Sequence, residues 1–250
     1  SSSGDLTTDW MLQDKTAGGT FTAPEGTLTY VGRMQFGGAG SYYVHYARGT
    51  FNHNNGLIVI NPTKDYGTRV LSSTADGVRD FYSITVLSGA NSLSNRTDVR
   101  YGSECTLDGD LIVDGTGHLG QYPYFQPGSQ NYDLVVAGDV VVTDAKLGGN
   151  YSYGTMTLGS LTLNTDGIFD APGHTIYGSG GTTTINNQDG SNYKLLNNGT
   201  FIHNSGTLVL DASTNGGIYD NTDWLYNLTV KNDTTDAVAV QNYTMVMGHS

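Results

Sequence analysis

The stretch Gly199–Asp211 reads G-T-F-I-H-N-S-G-T-L-V-L-D, and related stretches occur elsewhere in the chain. A close copy at Gly49–Asn61 reads G-T-F-N-H-N-N-G-L-I-V-I-N, and a looser one at Gly19–Val31 reads G-T-F-T-A-P-E-G-T-L-T-Y-V. A fourth, one residue shorter between its glycines, is Gly167–Tyr177. Four copies of one local pattern favour a stacked architecture, in which each unit buries its apolar face against its neighbours.

Each copy combines a short β-forming run, a turn and a second apolar run. Asn and Gly tolerate positive φ, so His-Asn-Asn-Gly and His-Asn-Ser-Gly predict tight turns. The Phe before the turn and the aliphatic residues after it favour strands. The residues that we assign to the turn and core of the repeat are Gly49, Phe51, His53, Asn54 and Gly56 in one copy, and Gly199, Phe201, His203, Asn204 and Gly206 in the other.

Two structural expectations follow from this alignment. Phe21, Phe51, Phe169 and Phe201 should point inward at equivalent places, because the repeat is otherwise polar around them. The second Gly of each His-Asn copy should have positive φ, or a close backbone approach that excludes a side chain. Gly206→Ala should then destabilise the protein.

A second recurring pattern is a Gly followed by a short apolar strand. From Gly109 the pattern returns at intervals of 29, 21, 22 and 25 residues, which is about one coil of a parallel β-solenoid. No window shows a clean period of 3.6 residues, so we expect almost no helix. The glycines that carry this pattern are Gly26, Gly56, Gly109, Gly138, Gly159, Gly181 and Gly206.

The predicted fold is therefore all-β: a parallel β-solenoid, or β-helix, with uneven coils. The alternative is a β-sandwich or jelly roll, which also consists of short strands. Repetition of sequence, and not merely of strands, favours the solenoid. We assign residues 1–18 to an N-terminal lead-in or docking segment and residues 19–250 to the β-solenoid repeat domain. The repeat domain is compatible with being one segment of a longer chain. Residues 62–105 are its least regular part and are compatible with a loop excursion.

Composition and charge exclude some function classes. The chain has 250 residues, with 35 Gly, 14% charged residues and a net charge of −12. Scattered Lys and Arg without a basic patch argue against nucleic-acid binding. No apolar run approaches the roughly 20 residues of a membrane-spanning helix. Short aliphatic runs recur throughout, which argues against disorder.

The repeat resembles those of large bacterial surface proteins of the adhesin type and of structural proteins of tailed phages. The resemblance lies in G-T-F-x-H-N-x-G followed by an apolar run, and in the later Phe81–Val86 and Leu225–Val230, which share Tyr-x-(Leu/Ile)-Thr-Val. It covers roughly residues 19–245 and implies an elongated, non-catalytic solenoid used in fibres, spikes or surface filaments. It brings no catalytic residues with it.

Few residues suggest chemistry. Calcium is the one cofactor that the sequence suggests, and its candidates are Asp108, Asp110 and Asp114, which would share one face of a strand. They lack the full calcium-loop spacing, so roles in turns and at strand ends are preferred. His53 and His203 stand at equivalent repeat positions, many residues apart, and turn-stabilising hydrogen bonds are preferred to a metal site. Cys105 has no partner for an intrachain disulfide and is expected to be buried.

Two further features bear on sugars. Some β-helices cleave polysaccharides with two carboxylates at a defined separation, and Tyr and Trp rings stack on sugars, so a depolymerase and glycan binding stay open as alternatives. Six sequons for N-glycosylation occur where composition predicts about four, and this excess is not evidence of glycosylation. They lie at Asn95, Asn150, Asn198, Asn227, Asn232 and Asn242.

The leading hypothesis is a structural, non-enzymatic subunit of a fibre-like assembly, most consistent with a phage tail fibre, spike or other virion appendage. The alternatives are a subunit of an extracellular or cell-surface filament or adhesin, and a polysaccharide depolymerase. The expected location is the virion surface, the cell surface or the extracellular space, with host-surface glycans as candidate partners. Strand-like sequence at both ends predicts self-association, as a trimer or a helical filament.

Overall fold

The computed structural model contains β-strands and no helix in the part of the chain that it describes, as the absence of helical periodicity predicts. The residues described are 4–8, 20–31, 50–62, 68–70, 80–88, 97–101, 104–117, 123–127, 132–148, 155–164, 166–170, 182–185, 193–197, 200–202, 207–211, 217–220 and 227–231.

The strands are short, as expected for a chain with frequent Gly, Asn and Asp. In chain order they are β1 (Leu6–Thr8), β2 (Thr20–Thr22), β3 (Thr27–Tyr30), β4 (Thr50–Asn52), β5 (Leu57–Ile60), β6 (Thr68–Val70), β7 (Asp80–Phe81), β8 (Ser83–Leu87), β9 (Asp98–Tyr101), β10 (Cys105–Leu107), β11 (Leu111–Asp114), β12 (Tyr124–Pro127), β13 (Leu134–Thr143), β14 (Lys146–Gly148), β15 (Met156–Leu163), β16 (Ile168–Asp170), β17 (Thr182–Ile185), β18 (Tyr193–Asn197), β19 (Thr200–Ile202), β20 (Thr207–Asp211), β21 (Gly217–Asp220) and β22 (Asn227–Lys231).

Every strand pairing in the described part of the chain is parallel. The strands form a 14-stranded sheet, a 6-stranded sheet and a 2-stranded sheet, with pairs between successive passes of the chain. A β-sandwich or jelly roll consists of antiparallel strands. The fold is therefore a parallel β-solenoid, and the predicted fold class is confirmed.

One coil can be followed from β13 to β15. The chain makes an inward-facing run at Leu134–Val136, bends at 137–139, and makes a second inward-facing run at Val140–Val142, all within β13. It then turns into β14, which belongs to the 6-stranded sheet. When it returns as β15, the two halves of β15 pair with the two halves of β13, with a register irregularity at the bend. One coil therefore consists of three strand segments, the two halves of β13 and β14, arranged around the interior.

The coils differ in length, as predicted. One register path joins equivalent inward positions of the 14-stranded sheet at successive spacings of 30, 26, 27, 29, 21 and 34 residues. The path runs through Leu28, Ile58, Ile84, Leu111, Val140, Leu161 and Leu195. Because a stacked coil must only match its neighbours where strands pair, the connections between strands are free to vary.

Two predicted coil boundaries need correction. The strands after Gly181 and Gly206, β17 and β20, continue the line of the first half of β15. The strands after Gly138 and Gly159 belong to the line of the second half. The 22-residue interval from Gly159 to Gly181 is therefore not one coil. Along the second line, Leu161 is followed after 34 residues by Leu195.

The interior is a stack of aliphatic and aromatic side chains. Along the register path the members from Leu28 to Leu161 are 0–3% exposed. In the 6-stranded sheet the corresponding ladder contains Val99, Phe125, Leu147 and Phe169, all fully buried. Burial of each large apolar side chain in such a ladder stabilises the fold by about 1.5–3 kcal/mol.

The four repeat phenylalanines fall into two ladders, and not into one as the alignment predicted. Phe21 pairs with Phe51 in the 2-stranded sheet, and their rings stack at 5.9 Å. Phe169 pairs with Phe201 in the 6-stranded sheet. Phe21 and Phe51 are partly buried against the core, and Phe169 is fully buried. The inward orientation is confirmed for these three, whereas the equivalence of all four is wrong.

The first described strand lies within residues 1–18. β1 pairs in parallel with β3, so Leu6–Thr8 already belongs to the 14-stranded sheet. The same holds for residues 62–105, in which β6, β7, β8 and β9 all pair with neighbouring coils. The described parts of that segment are coil strands and not a loop excursion.

Candidate functional site

The first His-Asn turn joins β4 to β5. Asn54 and Asn55 have φ values of 51° and 56°, and the Gly56 N–H donates a 2.9 Å hydrogen bond to the carbonyl of His53. Positive φ at both central residues is the signature of a type I′ turn, and Asn is among the few residues that adopt it at low cost. The tight turn predicted from the sequence is confirmed at this copy.

Side chains hold the same turn in place. The Asn54 N–H donates to Oδ1 of Asn52 at 3.1 Å, and its Nδ2 donates to the carbonyl of Ala23 in the preceding coil at 3.2 Å. The Asn55 N–H donates to Nδ1 of His53 at 3.0 Å. His53 therefore stabilises the turn, as predicted.

The other ring nitrogen of His53 faces the next coils. The imidazole stacks on the ring of Tyr82 at 6.1 Å, and its Nε2 lies 3.7 Å from Oδ2 of Asp108. Because Nδ1 accepts a hydrogen bond, the neutral imidazole carries its proton on Nε2, toward that carboxylate. We call His53, Tyr82 and Asp108 the corner cluster. It joins three successive coils on the outside of the solenoid.

Tyr82 interrupts a row of glycines. Gly26, Gly56, Gly109, Gly138 and Gly159 each stand two residues before an inward member of the register path. A Cβ at Gly159 would collide with the backbone oxygens of Ala137 and Gly138 in the coil before. Tyr82 occupies the same register position in its own coil and extends its ring beside Gly109.

The glycine row gives a stability prediction for Gly56. A Cβ at Gly56 would collide with the backbone oxygen of Pro24. The predicted close backbone approach at this glycine is therefore confirmed, and its φ is not positive. Gly56→Ala should lower the free energy of unfolding by about 1–3 kcal/mol. Gly4→Ala is the control, because Gly4 has the same register position in the outermost described coil and nothing within 4 Å of a Cβ. Equal stability of the two variants in urea titrations would contradict the close-approach account.

The second His-Asn copy lies at a different corner of the coil. Its first strand, β19, belongs to the 6-stranded sheet, and its second, β20, to the 14-stranded sheet. In the first copy β4 belongs to the 2-stranded sheet. The two copies therefore join different pairs of sheet strands, although their sequences are alike. Five of the predicted turn and core residues lie outside the described part of the chain: Gly49, Gly199, His203, Asn204 and Gly206. Gly206→Ala therefore stays a prediction.

The calcium candidates serve separate structural roles. Asp108 and Asp110 precede β11, and only Asp114 lies within it, so the three do not share one strand face as expected. Asp114 accepts a 2.8 Å hydrogen bond from the Thr116 N–H, which is a role at a strand end. Among the described residues, no group of three or more His, Cys, Asp or Glu side chains converges as a metal site would require.

Asp110 instead belongs to a row of polar side chains, each bonded to the next coil. Ser83 Oγ accepts from the Asp110 N–H at 2.9 Å, and Asp110 Oδ1 accepts from the Asp139 N–H at 2.8 Å. Ser160 Oγ then donates to Asp139 Oδ1 at 2.6 Å. Asp110 and Asp139 lie in adjacent coils, and one carboxylate oxygen of each accepts a hydrogen bond from the next coil.

A buried polar network lies on the 6-stranded sheet, and the sequence did not reveal it. Asp98 has a side chain only 3% exposed, and its Oδ2 accepts hydrogen bonds from Arg100 Nη2 at 2.7 Å and Nε at 3.1 Å. Its Oδ1 accepts from Gln126 Nε2 in the next coil at 2.7 Å. Asp98 and Arg100 are two residues apart on one strand, a spacing that could have suggested the ion pair.

The interior includes the thiol of Cys105 and the phenol of Tyr101. Burial raises the pKa of the Cys105 thiol well above its usual value, with the nearby Asp80 carboxylate adding to the effect. The thiol therefore stays protonated and is a poor nucleophile. Burial, followed by Cys105 and Asp133, also raises the pKa of Tyr101 well above its usual value.

Tyr101 supplies a prediction with the opposite sign. Its hydroxyl is buried and has no hydrogen-bond partner among the residues that the structure describes. Since a buried unsatisfied polar group costs about 1–3 kcal/mol, Tyr101→Phe should raise the free energy of unfolding by about 1 kcal/mol. Tyr82→Phe, at an exposed ring, should leave it unchanged. Loss of stability in Tyr101→Phe, measured by urea unfolding, would mean that the hydroxyl has a partner.

Of the six sequons, only Asn227 falls within the described residues, at the start of β22, where its side chain is exposed. The other five, Asn95, Asn150, Asn198, Asn232 and Asn242, lie outside them.

The described part of the chain contains no helix with the length and apolar character needed to span a membrane. In comparisons with known proteins, no family model, no curated protein and no solved structure matches the chain.

Proposed function

We propose that this protein is a structural subunit of a fibre-like assembly, in which its solenoid extends along the fibre axis. The observation that supports the proposal most directly is the continuous line of parallel pairs through β1, β3, β5, β8, β11, β13, β15, β18 and β21. Such a line of strands extends along one axis by about 4.8 Å per coil. Inward-facing side chains form apolar ladders between coils, and outward-facing polar side chains form hydrogen bonds between coils.

The corner cluster and the polar row support the same role. His53 and Asp110 each bond backbone N–H groups of turns or adjacent coils, and Tyr82 packs beside a glycine. The residues whose types suggest chemistry are thus used to hold coils together. A virion appendage, such as a tail fibre or spike, and an extracellular or cell-surface filament both suit a rod of this kind, and we favour the first on the repeat resemblance.

Light scattering on the purified chain across a range of micromolar concentrations tests the proposal. A fibre subunit should form particles larger than one chain, with mass that rises with concentration, and these should be elongated in electron micrographs. Single chains at every concentration would contradict it. A reducing-sugar assay on polysaccharides addresses the depolymerase alternative separately.

A further inference from the structure

The outermost described strand, β1, has the properties of an interior strand. Leu6 occupies the same register path as Leu28 and Ile58, yet its exposed fraction is 45% whereas theirs are 1% and 3%. Asp5 Oδ1 accepts a 2.8 Å hydrogen bond from the Thr27 N–H, as Asp110 Oδ1 does from the Asp139 N–H four coils further on. An aliphatic residue placed in the inward ladder and left exposed is a site for one more coil.

The hydrogen-bonding direction of β1 identifies its open groups. The Val31 N–H donates to the carbonyl of Thr8, so the backbone groups of Thr8 face β3. In a parallel strand, alternate residues direct their N–H and C=O to opposite edges. Those of Thr7 therefore face away from β3, toward an edge that has no partner strand among the described residues. Such an edge templates pairing with another strand.

The opposite end of the stack supplies a matching strand. β21 pairs only with β18 among the described strands, and it lies on the line of the second half of β15, the line to which β1 also belongs. The register places Ile218 after Leu161 and Leu195, so the same path begins at Leu6 and ends at another aliphatic residue. Because all pairs are parallel, a second copy in the same orientation continues the sheet without reversal.

We propose that the free edge of β1 pairs in parallel with β21 of a second copy of this chain, with Leu6 beside Ile218 and Thr7 beside Tyr219. This interface rests on the proposed fibre function and specifies how its subunits join. Contact between two different surfaces of the same chain is heterologous, and where the rotation does not close a ring it generates an open filament.

Thr7→Pro tests the backbone part of the interface. Proline removes the N–H that faces the open edge, and it leaves the groups of Leu6 and Thr8 that face β3. Assembly measured by light scattering should fall at least tenfold in Thr7→Pro, while the melting temperature of the single chain stays unchanged. Thr7→Ala, which keeps the N–H, should assemble as the unaltered chain does. A lower melting temperature in Thr7→Pro would show that the chain's own residues cover this edge, which overturns the proposal.

Disulfide trapping tests the register. Neighbouring strands lie about 4.8 Å apart, which is within the Cα separation of a disulfide. In a Cys105→Ala background, a mixture of Thr7→Cys and Tyr219→Cys chains should form disulfide-linked dimers under mild oxidation, and Thr7→Cys alone should not. Assembly of the unaltered chain without this cross-link would leave the fibre proposal standing and overturn the interface. Unaltered chains that stay single and do not cross-link would contradict both.

Discussion

Replacing Phe169 with alanine is expected to lower the free energy of unfolding by about 3–5 kcal/mol. The ring is fully buried in the 6-stranded sheet, with Leu147 and Phe201 as its register neighbours in the coils on either side. Both neighbours belong to strands paired with β16, so collapse into the space that the ring leaves would require these strands to move. The cost therefore includes a cavity as well as the lost transfer free energy.

Phe21→Ala is the matched control. Phe21 is also a repeat phenylalanine, but its side chain is only partly buried and its described strand partner lies on one side, at Phe51. Its truncation should cost clearly less than that of Phe169, about 1–2 kcal/mol, by the area that leaves water. Urea titrations followed by circular dichroism compare the two. Equal losses would show that burial along the ladders does not govern stability.

Replacing Asp98 with alanine is expected to cost about 3 kcal/mol. Removing one partner of a buried ion pair typically costs 3–5 kcal/mol, because the other charge is left without compensation. The lower end applies here, since the Arg100 side chain is 30% exposed and water can solvate part of the guanidinium. Gln126, which is buried, would in addition lose the acceptor of its side-chain amide.

Asp98→Asn separates charge from hydrogen bonding. The amide oxygen can still accept one of the hydrogen bonds, so this variant should lose less stability than Asp98→Ala. Replacing Asp108, whose side chain is 63% exposed, with alanine should change stability by less than about 1 kcal/mol, as is usual for a surface substitution. A loss in Asp98→Ala no larger than in Asp108→Ala would contradict the buried network.

The general architecture could be predicted because its causes are local. Gly recurs before the strands because a Cβ at that corner meets the backbone of the coil before, as at Gly56 and Gly159. The turn at Asn54 and Asn55 could be predicted because few residues adopt positive φ cheaply. These requirements repeat with each coil, so they leave a repeated sequence.

The position of each copy within the coil could not be predicted. A Phe, a turn and an aliphatic strand satisfy the same local requirements at every corner of the solenoid. The copies at Gly49 and Gly199 therefore look alike, although β4 and β19 belong to different sheets. Sequence similarity here records turn chemistry and not the place in the coil. The error in the phenylalanine ladder has this cause.

The contacts between coils could not be predicted from the sequence either. Asp98 meets Gln126, and Asp110 meets Asp139, across distances of 28 and 29 residues along the chain. Those distances follow from the length of the connections, which changes from coil to coil. In the sequence, Asp108, Asp110 and Asp114 form the most evident acidic cluster. Among the described residues, the carboxylate that is buried is that of Asp98.

The axial repeat of the assembled material tests the central claim most directly. Cryo-electron microscopy or fibre diffraction of the purified 250-residue chain, concentrated until particles grow, measures the spacing along the particle axis. Stacked solenoid coils joined end to end predict elongated particles with strands perpendicular to the axis and an axial repeat of about 4.8 Å. Compact single chains, or larger particles without that axial repeat, would contradict the account.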